Sequence, residues 1–358
     1  MNYETLPKTI SAEELLSTPL PPVKWIIPDL LPAGLALFAG PSKAGKSWLT
    51  LWLCLQVAQG KPMWGREIEP HTVLYLSLED TFNRLQKRLL QLVGSEEAPE
   101  RLVMQTECSS IGQGLEEQLV SFIYQHPDTG LIVIDTLQKV RSSDQNNSMY
   151  ASDYKEISAL KALADKYNVC ILLIHHLRKL HDDDPMNMIS GSTGLSGAAD
   201  STFVLQKSSR LANIASLHCT GRDIPDRTLK LELDEDDHVW KLLADSKTCS
   251  SASKISALQL VHLFSALLSA DPAYTGTPSA LSAKIDPDGS LEITPKKVTR
   301  LVLESVETLR ENGILVKIYR SNGKRLISLR SAESADLPTV GNIDPIDPVG
   351  RQNACTAP

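Results

Sequence analysis

The chain runs to 358 residues, 42% hydrophobic and 22% charged, with a formal net charge of −7, which allows one large core plus a smaller domain at ~100 to 200 residues each. The longest apolar runs, around Trp48 to Ala58 and Val169 to Ile174, fall short of the ~18 residues that a membrane-spanning helix needs, and the acidic balance weighs against a chain that binds polyanions along its whole length. Six cysteines (Cys54, Cys108, Cys170, Cys219, Cys249, Cys355) stand without a C-x-x-C pair, so they read as reduced thiols of a cytoplasmic protein, neither a disulfide frame nor a zinc site.

Residues 1–34 hold a helix start at Ser11-Ala12-Glu13-Glu14 and prolines at 19, 21, 22, 28 and 32, a lead-in strap with Trp25-Ile26-Ile27 as an edge strand. No basic stretch followed by an apolar core opens the chain, so no secretory signal is expected. Leu35 to Ala39 is an apolar run suited to a buried parallel strand. It stops at Gly40, and Gly40-Pro41-Ser42-Lys43-Ala44-Gly45-Lys46-Ser47 leads into a helix pattern at Trp48. Strand, G-x-x-x-x-G-K-S/T, helix is a P-loop. Its glycines let successive N–H groups turn inward around a polyphosphate, and the helix adds its positive dipole end. Lys46 is then the residue for the β- and γ-phosphates and Ser47 the hydroxyl for Mg2+, which makes ATP and Mg2+ the expected ligands.

Further along, His71 to Leu78 is β-rich and closes on Glu79-Asp80, a basic helix covers Phe82 to Leu92, and residues 115–126 fit an amphipathic helix. Leu131-Ile132-Val133-Ile134-Asp135 is a buried strand ending in a carboxylate. The polar loop 141–152, the helix Tyr154 to Tyr167 and the strand Val169 to Ile174, ending at His175-His176, follow. Alternating strands and helices predict a mostly parallel sheet flanked by helices. A long Gly/Ser/Asp loop spans 181–199. Strand-like segments at Ser201 to Gln206, Ile214 to Cys219, Thr228 to Leu233 and Val239 to Leu243 complete the first domain, residues 1–245.

Ligands of such sheets sit at the carboxyl ends of the strands. Asp135 fits the acid that holds Mg2+, and Glu79 is placed to orient or deprotonate an attacking water, unless Glu79-Asp80 merely cap the next helix. His176 is a candidate for the γ-phosphate or a structural histidine. Arg222, in Thr220-Gly221-Arg222-Asp223, is a candidate arginine finger for a neighbouring subunit, or half of a surface pair with Asp223.

Residues 246–254 read as a linker and 255–330 as a second, smaller domain. Helices at Ser256 to Leu268, Pro278 to Lys284 and about Thr294 to Asn312 precede a hairpin, Leu315 to Tyr319 and Leu326 to Leu329, closed by Ser321-Asn322-Gly323-Lys324. Three helices plus a hairpin is a winged-helix pattern. Residues 251–330 carry eleven Lys or Arg against seven Asp or Glu, net +4, which leaves −8 for residues 1–250 once the tail's −3 is counted. Any electrostatic affinity for DNA is therefore expected here, with Lys296, Lys297 and Arg300 at the start of the recognition-helix candidate and Lys317, Arg320, Lys324 and Arg325 on the wing; winged helices also serve as protein-interaction modules, and Glu304, Glu307 and Glu311 dilute the charge. The Asp/Pro/Gly-rich tail 331–358 is expected to be disordered.

Together Gly40 to Ser47, Leu76 to Asp80, Leu131 to Asp135, Ile174 to Lys179, Gly191 to Gly194 and Gly221-Arg222-Asp223 resemble the RecA-like hexameric ATPases of the plasmid replicative helicase RepA group, over about residues 20–245. The resemblance implies that Lys46, Glu79, Asp135, His176 (preferred to His175) and Arg222 carry the catalytic cycle, in a homo-oligomeric ring, usually a hexamer, with single-stranded DNA in its pore. The expected fold is α/β, a RecA-like P-loop NTPase core plus a C-terminal winged helix. The expected function is a Mg2+-dependent ATP hydrolase, a helicase or helicase-like motor of a mobile element. The pore-loop candidates, 141–152 and 181–199, offer Arg141 and Asp182-Asp183-Asp184, a poor lining for phosphates. That keeps open an ATP-switched DNA-binding regulator that does not translocate, beside a signalling or defence ATPase that binds no DNA.

Overall fold

A computed structural model describes residues 9–332 except 19, 95–96, 142–148, 179–181, 183, 192, 208, 210–211, 247–255 and 322. Most of the expected linker, the loop around 142–148 and the tail from 333 lie outside the described residues. In chain order, a short helix α1 (Ala12–Ser17) precedes the strand pair β1 (Trp25–Ile27) and β2 (Leu31–Pro32). The elements β3 (Gly34–Gly40), α2 (Lys46–Gln59), β4 (Thr72–Ser77), α3 (Phe82–Val93), β5 (Leu102–Gln105), α4 (Leu115–Gln125) and β6 (Thr129–Asp135) follow. Next come α5 (Leu137–Val140), α6 (Met149–Tyr167), β7 (Cys170–His176), α7 (Thr193–Ala198), β8 (Ser201–Lys207), β9 (Ile214–Gly221), β10 (Arg227–Leu233) and β11 (Trp240–Asp245). The chain closes with α8 (Ala257–Ala270), β12 (Ala273–Gly276), α9 (Pro278–Ile285), α10 (Pro295–Glu304), α11 (Val306–Glu311), β13 (Ile314–Ser321) and β14 (Lys324–Ser331).

The chain divides into two compact units, Val23–Ser251 and Met1–Pro22 with Ala252–Pro358. In the larger, a nine-stranded sheet runs in the order β11-β10-β9-β8-β3-β7-β6-β4-β5. Strands β8 through β5 are parallel, while β9, β10 and β11 add an antiparallel extension. Every residue of β3, β4 and β6 is buried, because helices cover both faces; that is why these strands read as continuous apolar runs. Alternate side chains feed two cores, one holding Phe38, Leu49, Cys54, Tyr75 and Val133, the other Leu37, Leu74, Ile132, Leu160 and Leu173. Register aligns the functional ends: Gly40 pairs with His176 across β3 and β7, and Ser77 with Asp135 across β4 and β6.

Several elements differ from expectation. The half-buried edge strand β5 has no marked apolar alternation, and the loop 181–199 contains a 3-10 turn at Pro185–Met188 and the helix α7. The strap up to Pro22, expected with the first domain, groups with the smaller unit, where Glu13 pairs with Arg320 at 3.1 Å.

In the smaller unit, α8, α9, α10 and α11 pack with a sheet of order β12-β14-β13 around Phe264, Leu281, Val298, Val302, Leu309 and Ile327. Side-chain caps start its helices: Ser256 and Gln259 form a capping box, and Thr277 and Thr294 cap α9 and α10 ahead of a proline at the first turn. The single helix expected from Thr294 to Asn312 is broken at Ser305 (φ −116°, ψ 12°). Apolar spacing runs through the break, from Val298 and Val302 to Leu309, so periodicity alone did not mark it. Strand β12, between α8 and α9, was not expected; its short length hides it until it pairs with β14.

Candidate nucleotide site

The site is built at the carboxyl ends of β3, β4, β6 and β7. Gly45, the last loop residue, takes φ +95° and a Cβ there would sit 3.0 Å from the buried Trp240 ring, so glycine is required on both counts. Lys46, 6% exposed, donates from Nζ to the carbonyls of Gly40 at 2.8 Å and Pro41 at 2.9 Å, which holds the ammonium inside the loop. Burial pulls its pKa below the usual lysine range, against the opposing fields of Asp135 and Glu79.

Asp135 ends β6 nearly fully buried. It accepts a hydrogen bond from Tyr75 Oη to Oδ2 at 2.8 Å and another from the Ser47 hydroxyl. Burial lifts its carboxyl above the usual range, and those two bonds oppose the shift. Glu79 is exposed, and its Oε1 accepts from Thr136 Oγ1 at 3.1 Å. The reading of Glu79-Asp80 as a cap of α3 is not what forms: Thr81 is the N-cap, and Asp80 pairs with Arg84 at 3.0 Å and with Arg88. Lys46, Ser47, Glu79 and Asp135 thus converge.

His176 is half-buried at the level of Gly40, and its carbonyl accepts from Ser190 N at 3.0 Å. His175 is buried, with Nε2 2.8 Å from the Ser190 carbonyl. Residues 177–178 pair with 188–189, so the loop after β7 folds back on the strand end. Arg222 is not in this cluster. Its guanidinium meets Asp200 Oδ1 at 3.2 Å, not Asp223, and Asp200 Oδ2 accepts from Leu35 N at the start of β3. Five residues of strand, ~17 Å, separate that end from the P-loop.

The basic residues of the smaller unit lie on α10 and the β13–β14 hairpin. Lys296 is exposed, Lys297 donates to the Leu291 carbonyl at 3.2 Å, and Arg300 approaches Glu304 at 3.7 Å. On the hairpin, Lys317 lies over the Tyr319 ring, Arg320 engages Glu13, and Lys324 and Arg325 begin β14.

Tyr75, Thr136, Arg88 and Trp240 belong to none of the sequence motifs. The signal for Tyr75 was a hydroxyl in a strand otherwise suited to burial. Ser47 and Asp135 present a hydroxyl and a carboxylate side by side, a hard oxygen set that suits Mg2+ shared with phosphates. Among the described residues no group of three or more His, Cys, Asp or Glu is placed to hold a metal unaided.

The fold is similar to the ATPase domain of G40P, with TM-score 0.50 and 18% identity, over 59% of this chain and 85% of that one. Looser likenesses are to a DnaB-like replicative helicase (TM-score 0.49, 17% identity, 58% of this chain and 57% of that one) and to the RadB recombinase (0.43, 16%, 59% and 91%). On the first of these likenesses the core is α/β, with the fold of that ATPase domain. Residues 3–182, half of the chain, match the AAA domain family, and the chain belongs to that family.

Proposed function

We propose that the chain is a Mg2+-dependent ATPase that acts on DNA as an oligomeric ring, a helicase-like motor similar to the RepA group. The observation that carries this reading is the convergence of Lys46, Ser47, Glu79 and Asp135 at one sheet edge. Lys46 binds the β- and γ-phosphates when they displace its loop carbonyls, and the backbone N–H groups of the P-loop cradle them. Ser47 and Asp135 would hold Mg2+, which neutralises charge developing on the phosphoryl oxygens when bound. Glu79, held by Thr136, takes the proton of the attacking water. His176 bonds the γ-phosphate, and its link to Ser190 carries the loss of that phosphate into the loop 181–199. Arg222 faces a neighbouring protomer's nucleotide, since ~17 Å of β3 separates it from its own.

The smaller unit, with its helix–strand–helix–helix–helix–strand–strand order, is read as a winged helix that meets DNA through Lys296, Lys297 and Arg300, with Lys317, Arg320, Lys324 and Arg325 along the backbone. A second reading, an ATP-switched regulator that does not translocate, is favoured by the pore-loop charges: Arg141 is tied to Glu156 at 3.0 Å, and Arg178 to Asp182 at 3.5 Å. ATPase rate with and without single-stranded DNA, on protein whose mass in solution is recorded in the same buffer, separates them. Stimulation in a ring-sized assembly supports the motor. A DNA-indifferent rate from a monomer or dimer supports the regulator.

A further inference from the structure

Tyr75 stands inside β4, fully buried among a strand of buried residues. Its register partner is Val133 of β6, two residues short of the pair between Ser77 and Asp135. Two residues of strand span ~7 Å, about the reach of a tyrosine side chain laid along the sheet. The phenol therefore ends at the carboxyl edge, where it donates to Asp135 Oδ2 at 2.8 Å. The ring shares its core with Cys54, Leu131 and Val133, neighbours that a phenylalanine would satisfy equally well. A hydroxyl buried in apolar surroundings is unfavourable unless it is bonded, so its presence has to be explained by the carboxylate. Ser47 reaches the same carboxylate from α2. Asp135 is thus held from the neighbouring strand β4 and from the helix α2.

We propose that Tyr75 is a positioning residue for the cation site: by committing one oxygen of Asp135 it fixes the orientation in which the carboxylate meets Mg2+, and so sets the Mg2+ requirement of the chain. The proposal rests on the reading of Asp135 as the carboxylate for Mg2+. Removing an outer partner of a metal-binding side chain typically lowers metal affinity or activity ~10- to 100-fold.

The test compares wild type, Tyr75→Phe and Val133→Ala as full chains, each held below its own melting midpoint. A fluorescent ATP analogue is bound at increasing Mg2+ and again in EDTA, and ATP turnover is followed over the same Mg2+ range. For Tyr75→Phe the Mg2+ concentration at half-saturation rises about tenfold or more in both assays, while affinity for the analogue in EDTA stays at the wild-type value. Val133→Ala loosens the same core without touching the hydroxyl and keeps the wild-type Mg2+ dependence. Superimposed Mg2+ curves for wild type and Tyr75→Phe, or an equal shift in Val133→Ala, overturn the proposal and leave Tyr75 a packing residue. A wild-type chain that neither binds the analogue nor hydrolyses ATP overturns the ATPase reading, and the proposal with it.

Discussion

Replacing Arg222 by alanine separates a finger that acts on a neighbour from a surface arginine. The guanidinium lies 3.2 Å from Asp200 Oδ1 with 61% of the side chain exposed, and an exposed pair of this kind contributes ~0 to 1 kcal/mol. Asp200 keeps Lys161 Nζ at 2.8 and 2.7 Å and Leu35 N at 2.9 Å without it. The melting midpoint is therefore expected to move by no more than ~3 °C in a unit of this size. Asp200→Ala is the contrast. It strips the buried Leu35 amide of its acceptor and Lys161 of its nearest carboxylate, and the two losses together are worth roughly 3 to 5 kcal/mol. If Arg222 acts in trans, Arg222→Ala loses ~10³-fold or more in turnover at nearly unchanged stability. Mixing it with Lys46→Ala protomers then restores activity, because some interfaces regain both an intact P-loop and an intact finger. Steady-state phosphate release from titrated mixtures, beside melting curves of each variant, is the assay. Lost turnover with a large melting shift and no recovery in any mixture would rule out action in trans and leave Arg222 a structural anchor.

Glu79→Gln keeps the hydrogen-bonding shape but removes the proposed base, so nucleotide binding is expected to persist while turnover falls ~100-fold or more; turnover at the wild-type rate would move the base elsewhere. Changing Lys296, Lys297 and Arg300 together to alanine is expected to weaken duplex binding and to flatten the slope of log affinity against log salt by ~0.9 for each phosphate that is no longer neutralised. An unchanged slope would mean that these three residues do not meet DNA and would favour a protein-interaction role for the smaller unit. Burial lowers the pKa of His218 below the usual 6.5, with Asp184 opposing, and burial with Lys24 does the same for His71. The folded state then binds these protons less readily than the unfolded chain, so stability is complete above ~6.5 and is lost as pH falls through the lowered values. Melting midpoints between pH 8 and 5 should show this decline, and His218→Asn should make it shallower; equal slopes would mean that His218 plays no part in it.

What could be read from the chain alone follows from burial. Strands β3, β6 and β7 are covered on both faces, so their apolar runs stood out, and the glycines and Lys46-Ser47 after β3 marked the loop. Glu79 and Asp135 were legible because each follows such a run. Features set by register were not. That Tyr75 reaches Asp135 depends on β4 pairing with β6, and that Arg222 meets Asp200 depends on Ser201 pairing with Gly221 across β8 and β9. Neither pairing leaves a local trace. The break at Ser305 was hidden because apolar positions continue through it, and β5 and β12 were hidden by their four-residue lengths.

In the proposed function ATP is hydrolysed at the Lys46–Asp135 site. Phosphate release from ATP in Mg2+, measured for the wild-type chain and for Lys46→Ala purified side by side, tests it most directly. Turnover by the wild type that disappears in the variant, and in EDTA, is the predicted result. No turnover by the wild type, or an equal rate in both proteins, would contradict it.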